Sequence, residues 1–500
     1  MTENRTLGAW LQDWPIESNL AEIPLRGLSL DSRRIKPGEI FVALAGHRTH
    51  GLSYAGEAIG RGCAAILYDP DQGGDELASG LMGAPLIAIP SLKNYLGQLA
   101  DRFYDSPSRN LTIFGVTGTN GKTSCSHYIA QALSHTLPTG LIGTLGWGVL
   151  PELNPTEQTT PGVLEIHRIL DALRRKGCRA VAMEASSHGL HQGRLAGVRL
   201  KGALYTNLTR DHLDYHGDMA AYLEAKLALL DAPGLEFVVF DANSPFADAI
   251  LTRTRGRLKT VAYSSYPISG NTSHPALLLA SDPVQDEHGL ACKLRFGTET
   301  ATVRVALSGD FNLQNTLATL GVLLGLDYPL TEAAAAMTYV RPVAGRMERY
   351  QGKSLDVIVD YAHTPDALGN VLRSIRPLCQ GQLWLVFGCG GNRDKGKRPE
   401  MGAVAVRLAD RVVITDDNPR TEDGDAIIRD ILAGCGSTNP ETIRDRQAAI
   451  HYALEQMSPG DWLLVAGKGH EDEQEINGLK IPCSDRAIVS HWLWGSEHES

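Results

Sequence analysis

Gly115-Val116-Thr117-Gly118-Thr119-Asn120-Gly121-Lys122-Thr123 limits what this chain can become more than any other stretch. An apolar run, Thr-Ile-Phe, leads into it and a helix-like segment, SCSHYIAQALSHT, leads out. Strand, glycine-rich turn and helix in that order make a phosphate-binding loop. Glycines let backbone N–H groups approach phosphate oxygens, and the helix N-terminus adds partial positive charge. Lys122 would reach the terminal phosphates, and the Thr123 hydroxyl would bind Mg²⁺. The strict spacing G-x-x-x-x-G-K-[ST] wants glycine where Val116 stands, so the loop is a variant, G-x-x-G-T-N-G-K-T. Alone it could be an ordinary glycine-rich turn; its flanks make nucleotide binding the expectation.

Around the loop, apolar β runs alternate with helix-length segments from about Leu111: TIFGVTG, LIGTLG, LEIHRILDALRRKG, AVAMEAS and GALYTNL. That is the βαβ signature of a mostly parallel sheet buried on both faces. A further βαβ block starts near Leu355 with DVIVDYAH, LWLVFGCGG, RVVITDDNP and DWLLVAGKG. In QAAIHYALEQM, Ala449, Ile450, Ala453, Leu454 and Met457 share one helical face. The first ~107 residues show shorter β-like runs, Glu39–Ala45, Ala64–Tyr68 and Pro85–Ile89, among turns. Ser106-Pro107-Ser108 reads as a linker, and TYVRPVAGRMERY, with Pro342 and Gly345, as a hinge. At 500 residues the chain exceeds a single core, and these breaks predict domains over 1–107, 108–340 and 341–500.

A net charge of −10 argues against a nucleic-acid partner, because no basic excess neutralises phosphates along a backbone. A small anionic ligand needs only a few cations and N–H groups. The eight cysteines form no C-x-x-C pair, which disfavours thiolate zinc sites and suits reduced thiols in the cytoplasm. Neither a signal-peptide pattern nor an apolar run of about 18 residues occurs, so no membrane insertion is expected.

Acidic and imidazole groups follow the β runs. Glu184, ending AVAME, can coordinate Mg²⁺ beside a phosphate loop; a capping or surface glutamate is the alternative. His212 and His216 stand at i, i+4, a spacing that suggests zinc, but no glutamate follows the first histidine. Structural or hydrogen-bonding histidines are the favoured reading of the pair. Glu224 and Lys226, in MAAYLEAKLALLDA, read locally as one solvated helix face.

GVTGTNGKT, MEASSHG, NLTRDHLDYHG with Lys226 downstream, SGDFNLQN, AGRMER, DYAHTPDAL, GCGGNRDKGKRP, DDNPRTE and AGKGHE occur in this order. With the Asp31-Ser32-Arg33 segment they span Asp31 to Glu471, and the chain closely resembles the Mur ligases of peptidoglycan synthesis. The resemblance implies an α/β protein of three domains. They are a smaller N-terminal α/β domain for the UDP-sugar, a central P-loop-type ATPase domain and a C-terminal Rossmann-like domain that closes over the site. It implies a cytoplasmic, monomeric, Mg²⁺-requiring enzyme that forms an amide on UDP-N-acetylmuramoyl-L-alanyl-D-glutamate at the expense of ATP. Carried over residue by residue, Gly118, Thr119, Asn120, Gly121, Lys122 and Thr123 hold the phosphates. Asn315, Arg346 and Asp360 contact the adenine, phosphate and ribose parts of ATP. Thr123, Glu184, His212 and Lys226 hold metal, with Lys226 carbamylated, since an unmodified ammonium would repel a cation that seeks hard oxygen ligands. This replaces the solvated-face reading of Lys226.

By the same resemblance Thr159, Thr160, Ser186, Gln192 and Arg194 hold the muramoyl-dipeptide, and Ser32 and His47 the uridine. Arg48-Thr49 stands where many relatives have Gln-Ala. Asp417-Asn418-Pro419-Arg420 matches the family's marker for meso-diaminopimelate, and Arg393, Asn418, Arg420, Gly467 and Glu471 match its binding positions. The chemistry agrees, because diaminopimelate carries a distal carboxylate that lysine lacks and a guanidinium can clamp it. Glu471 would receive the distal ammonium. Rival readings are an L-lysine-adding ligase, a folylpolyglutamate-type ligase, a P-loop motor or switch ATPase, and a zinc hydrolase built on His212 and His216.

Overall fold

The structure is a computed structural model, and it describes residues 5–46, 49–265, 276–286 and 288–495. Three main sheets follow one another along the chain. The first holds β1 (Gly27–Ser29), β2 (Glu39–Ala43), β3 (Ala65–Tyr68) and β4 (Leu86–Ala88), all parallel and in that order. Its residues alternate between two cores. Ile40, Val42 and Leu67 meet Leu96 and Leu99 of the helix Leu92–Phe103. Phe41, Ala43 and Ile66 meet Leu52 and Ala58 on the opposite face. Of these four strands only β1 was not expected; three residues are too few for an alternation to register.

The second sheet holds β5 (Thr112–Thr117), β6 (Thr139–Gly143), β7 (Gly146–Val149), β8 (Glu152–Asn154), β9 (Ala180–Glu184), β10 (Gly202–Tyr205), β11 (Phe237–Asp241), β12 (Lys259–Ser264), β13 (Leu277–Asp286), β14 (Gly289–Phe296) and β15 (Glu299–Val305). Its order is β15-β14-β13-β12-β11-β10-β5-β9-β6-β7-β8. The middle, from β13 to β6, is parallel, as the βαβ pattern predicts. Both wings are antiparallel, β13-β14-β15 on one side and β6-β7-β8 on the other. The parallel strands are apolar throughout because helices cover both faces. Phe237 and Val239 pack with the helices Lys122–Leu133 and Asp310–Gly325, while Val238 and Phe240 pack on the other side with residues of the core that includes the helix Val163–Arg175.

In the third sheet β16 (Glu348–Gly352) runs antiparallel to β17 (Leu355–Asp360). Then β18 (Leu383–Phe387), β19 (Arg411–Ile414), β20 (Glu441–Thr442) and β21 (Trp462–Ala466) complete the order β16-β17-β21-β18-β19-β20. A hairpin, β22 (Glu473–Ile476) and β23 (Leu479–Pro482), follows. Among the described residues no helix is long and apolar enough to cross a membrane.

Neither joint between the sheets is loose. Pro107 and Ser108 are buried in a short 3₁₀ helix, and the Ser108 hydroxyl accepts the Arg199 N–H at 3.2 Å. The hinge segment buries Val340 and Val343 in the central core. Gly345 there has φ +64°, and a Cβ on it would lie 2.2 Å from the His470 nitrogen. Only glycine permits both the left-handed backbone and that approach.

One buried ion pair ties the end of the chain to this framework. Arg446 donates to Asp485 from Nε and Nη2 at 2.7 Å each, and neither side chain is exposed. The same guanidinium donates to the Ala466 and Asp416 carbonyls, at the ends of β21 and β19. Asp485→Ala would leave the arginine buried and uncompensated. The expected loss is about 3–5 kcal/mol of stability, read as a lower urea midpoint. An unchanged midpoint would show that the pair contributes nothing net.

Candidate active site

Strand ends create the site. The C-terminal ends of β5, β9 and β10 open into the same cavity, of about 870 Å³, as those of β17, β18, β19 and β21. In open α/β sheets this is where ligands bind.

The phosphate loop after β5 is braced from β10. The Thr119 N–H reaches the Asn207 carbonyl at 2.9 Å, the Asn120 N–H reaches Asn207 Oδ1 at 2.9 Å, and Thr206 Oγ1 donates to the Asn120 carbonyl at 2.6 Å. Gly118 has φ +147°, and a Cβ on it would sit 1.8 Å from Thr206 Oγ1, so no other residue fits there. Lys122 Nζ donates to the Gly118 and Thr119 carbonyls, both at 2.9 Å. Burial pushes the Lys122 ammonium down, while Glu184 and Asp211 pull the other way.

Glu184 ends β9 with 0% exposure, which removes the surface and capping alternatives. Its carboxylate accepts the Thr123 hydroxyl at 3.1 Å, the Thr144 N–H at 2.8 Å and the Thr144 hydroxyl at 3.1 Å. Burial raises the Glu184 carboxyl above its ordinary range, against the Thr144 N–H, Lys122 and Arg346. Thr123 and Glu184 thus present two hard oxygens side by side, a donor set that fits Mg²⁺ completed by phosphate oxygens and water. Among the described residues no group of three His, Cys, Asp or Glu side chains could hold a metal ion, so His212 and His216 gain no third ligand for zinc. His216 bonds instead to the Ser187 hydroxyl at 3.0 Å.

Lys226 overturns the solvated-face reading. It is 1% exposed, and its Nζ donates to the Gly118 carbonyl at 2.7 Å and lies 4.4 Å from the centre of the Tyr222 ring. Tyr222, Ala225 and Lys226 form the buried side of the helix Met219–Leu227, whereas Glu224 points outward and pairs with Arg253 at 2.5 Å. Burial depresses the Lys226 ammonium well below its usual value, Lys122 adds to this, and Asp211 opposes it. His212 also faces Tyr222, with ring centres 6.4 Å apart. Burial brings its imidazole down to about 3, so it is neutral near pH 7.

The ATP-contact positions meet across the cleft. Arg346 Nη2 donates to the Thr123 hydroxyl at 3.3 Å, with its guanidinium 4.2 Å from the Tyr361 ring centre. Asp360 ends β17 and accepts the Met347 and Ala362 N–H groups at 2.7 Å each. Asn315 is buried behind the loop and accepts the Cys125 thiol at 3.4 Å.

On the dipeptide side, Thr159, Ser186 and Arg194 line the cavity. Thr160 lies beneath them, its hydroxyl donating to the Glu184 carbonyl at 2.9 Å and lying 3.0 Å from the Ser186 hydroxyl. Arg194 holds the Gln192 side chain at 3.0 Å, away from the cavity lining. Ser32 is not brought into the cavity; its hydroxyl donates to Glu57 at 2.8 Å in the first sheet's layer. Two residues on, Arg34 reaches Glu157, which does line it. His47 and Arg48 lie outside the described residues.

Arg393, Asn418, Arg420, Gly467 and Glu471 all line the far side. Arg420 donates to the Gly391 carbonyl at 2.7 Å and pairs with Glu475 at 3.2 Å. Glu471 accepts Asn418 Nδ2 at 2.9 Å and Lys468 at 3.2 Å. Burial works to raise its carboxyl, but Lys468 and Asn418 outweigh burial and hold it below its usual range. A Cβ on Gly467 would lie 2.6 Å from Asp417 Oδ2. Sequence reasoning missed Asp366, which accepts the Asn120 side-chain amide at 3.3 Å across the cleft. It lies inside DYAHTPDAL, but locally it looks like any acidic first-turn residue.

Comparison with known proteins agrees over the whole length. The profile of the Mur ligase middle domain matches residues 116–323, that of the Mur ligase glutamate ligase domain residues 345–469, and that of the Mur ligase family catalytic domain residues 24–104. A UDP-N-acetylmuramoyl-L-alanyl-D-glutamate--2,6-diaminopimelate ligase of Alkalilimnicola ehrlichii is 45% identical, covering 99% of this chain and 100% of its own. The protein of the same name from Coxiella burnetii is 41% identical over 93% of this chain and 95% of its own. A solved structure with that name superposes with a TM-score of 0.67 at 32% identity, covering 98% of this chain and 99% of the other. A MurF ligase of Thermotoga maritima in complex with ADP shares the fold, with a TM-score of 0.64 at 18% identity, covering 88% of this chain and 93% of its own.

Asp366→Ala removes the cross-cleft partner of the phosphate loop. A hydrogen bond to a charged group contributes about 1.5–3 kcal/mol, so a rise of about tenfold or more in the KM for ATP is expected at unchanged melting temperature. An unaltered KM would show that the contact plays no part in nucleotide binding.

Proposed function

This chain belongs to the Mur ligase family, and from that premise we propose that it joins meso-2,6-diaminopimelate to the D-glutamyl γ-carboxylate of UDP-N-acetylmuramoyl-L-alanyl-D-glutamate, using ATP. The observation that carries this reading is the sharing of one cavity by a phosphate loop with buried Glu184 and by the Asn418, Arg420 and Glu471 set.

Lys122 and the loop N–H groups hold the β- and γ-phosphates, and Arg346 adds charge from the opposite wall. Thr123 and Glu184 would hold Mg²⁺, which supplies charge neutralisation when bound. The D-glutamyl γ-carboxylate, steered by Ser186, Arg194 and Thr159, attacks the γ-phosphorus in line, giving an acyl phosphate and ADP. The neutral amine of diaminopimelate then attacks the acyl carbon, and phosphate departs. Arg420 and Asn418 recognise the distal end by its carboxylate, and Glu471 receives its ammonium. This donor set favours diaminopimelate over L-lysine, which offers nothing for the guanidinium. Closure of the third-sheet domain over the phosphate loop keeps water from the acyl phosphate.

Burial supports a carbamate at Lys226. A depressed pKa leaves a neutral amine, which adds to CO₂ and releases a proton. The resulting anion, with His212 also beside Tyr222, would offer a second set of metal donors. We place the reaction in the cytoplasm, where the eight free thiols stay reduced.

The direct test is phosphate release with UDP-muramoyl-dipeptide and ATP, offering diaminopimelate and L-lysine in parallel. Diaminopimelate should be preferred; a preference for lysine, or ATP consumption with no amide product, would overturn the reading. Arg420→Ala should raise the KM for diaminopimelate by about tenfold to a hundredfold, the worth of a charged hydrogen bond, with the KM for ATP unchanged. Lys226→Ala should lower kcat by about a hundredfold or more, with partial recovery in formate or acetate. A fully active alanine variant would exclude the carbamate.

A further inference from the structure

Lys397 is a cation held, among the described residues, by no hydrogen bond or contact ion pair, and none of the roles above uses it. It opens the helix Lys397–Leu408, is 6% exposed and lines the catalytic cavity. Among the described residues its Nζ has no hydrogen-bond or ion-pair partner. Its side chain is packed away while its ammonium opens on the cavity, where an arriving anion can meet it with a charge-assisted hydrogen bond. The helix adds to the same demand, since its N-cap is Gly396 and no side chain caps its first N–H groups.

The surroundings identify the anion. Arg210, from the segment after β10, clasps the loop that leads to Lys397, pairing with Asp394 and Glu400 at 3.3 Å each. A Cβ on Gly396, the residue before Lys397, would lie 2.3 Å from the Arg210 guanidinium, and Asp211 shares the cavity wall with Lys397 and Lys122. The same segment braces the phosphate loop, the Thr209 N–H reaching the Thr119 hydroxyl at 3.0 Å. The start of the Lys397 helix therefore abuts the segment that braces the phosphate loop, whereas Asn418, Arg420 and Glu471 hang from the loops after β19 and β21.

We propose that Lys397, with the N-terminus of its helix, receives the phosphoryl group once it has left ATP, binding the acyl phosphate and then the departing phosphate. The proposal rests on the ligase reading above. In the first step a γ-carboxylate oxygen bonds to phosphorus as the bond to the bridging oxygen breaks, and ADP keeps the electron pair. Lys122 stays with ADP, so the transferred dianion needs a second cation. In the next step the amine nitrogen bonds to the acyl carbon, the carbon–oxygen bond breaks, and phosphate leaves with the electron pair and the amine's proton. Lys397 meets the transferred phosphoryl group in the first step and the leaving phosphate in the second.

The test uses the full chain with Mg²⁺, UDP-muramoyl-dipeptide, ATP and diaminopimelate, comparing the parent with K397M and K397R. K397M should lower kcat by about 10²–10³-fold, as loss of a transition-state charge partner does. The KM values for ATP and diaminopimelate should hold within about twofold, against the tenfold expected for a lost ground-state contact. Positional isotope exchange in ATP without diaminopimelate should slow in parallel, and K397R should recover part of the rate. Without ligands, K397M should melt with the parent, because the cavity-facing ammonium is hydrogen-bonded to none of the described residues. An unchanged kcat, or a raised KM for diaminopimelate at unchanged kcat, would overturn the proposal. So would a lower melting temperature, which marks a structural lysine. If the parent itself forms no amide, the ligase reading falls; a working parent beside an equally active K397M sinks only the role of Lys397.

Discussion

Glu184 is a carboxylate with no access to water, and the arrangement of the cleft depends on how it is satisfied. Threonines from two other segments meet it, Thr123 from the start of the helix after the phosphate loop and Thr144 from the turn after β6. These hydrogen bonds fix the level at which β5, β6 and β9 end, and so the depth at which a phosphate chain can sit. A charge buried this way must be shared with a cation in the working complex, since the three donors already present still leave its carboxyl above the ordinary range.

What could be read from the sequence was what is local. The phosphate loop, the parallel middle of the central sheet and the third-sheet strands each carry their signature within a dozen residues. Glu184 was legible as an acid at a strand end beside that loop. Lys226 was not legible from its own helix, where Tyr222, Ala225 and Leu227 mark a buried side without revealing that the lysine joins it. Its burial depends on the Gly118 carbonyl, more than a hundred residues away in sequence. Of the antiparallel wings, β7 and β8 escaped notice because four and three residues are too few for an alternation to register, and Asp366 escaped because its partner Asn120 lies far away in sequence, in the loop after β5. Ser32 is separate from the cavity, held by Glu57 in its own layer.

Several polar contacts that cross between the layers lie close to the chemistry. Arg346 with Thr123, Asn120 with Asp366, and Arg210 with Asp394 and Glu400 all span the same gap. Such contacts are individually weak in water. Together they let the last layer approach and withdraw without disturbing the apolar cores behind it, which suits an enzyme that must admit three substrates and then shield an intermediate from hydrolysis.

The Arg446–Asp485 pair ties two walls of the amino-acid pocket to one anchor. Arg446 steadies the carbonyls of Asp416 and Ala466, from which the Asn418–Arg420 and Gly467–Glu471 loops depart, and Asp485, which meets its charge, does not line the cavity. The pocket's rigidity is therefore set from behind, so a slackened anchor would blur both loops at once while leaving every residue that faces the ligand in place.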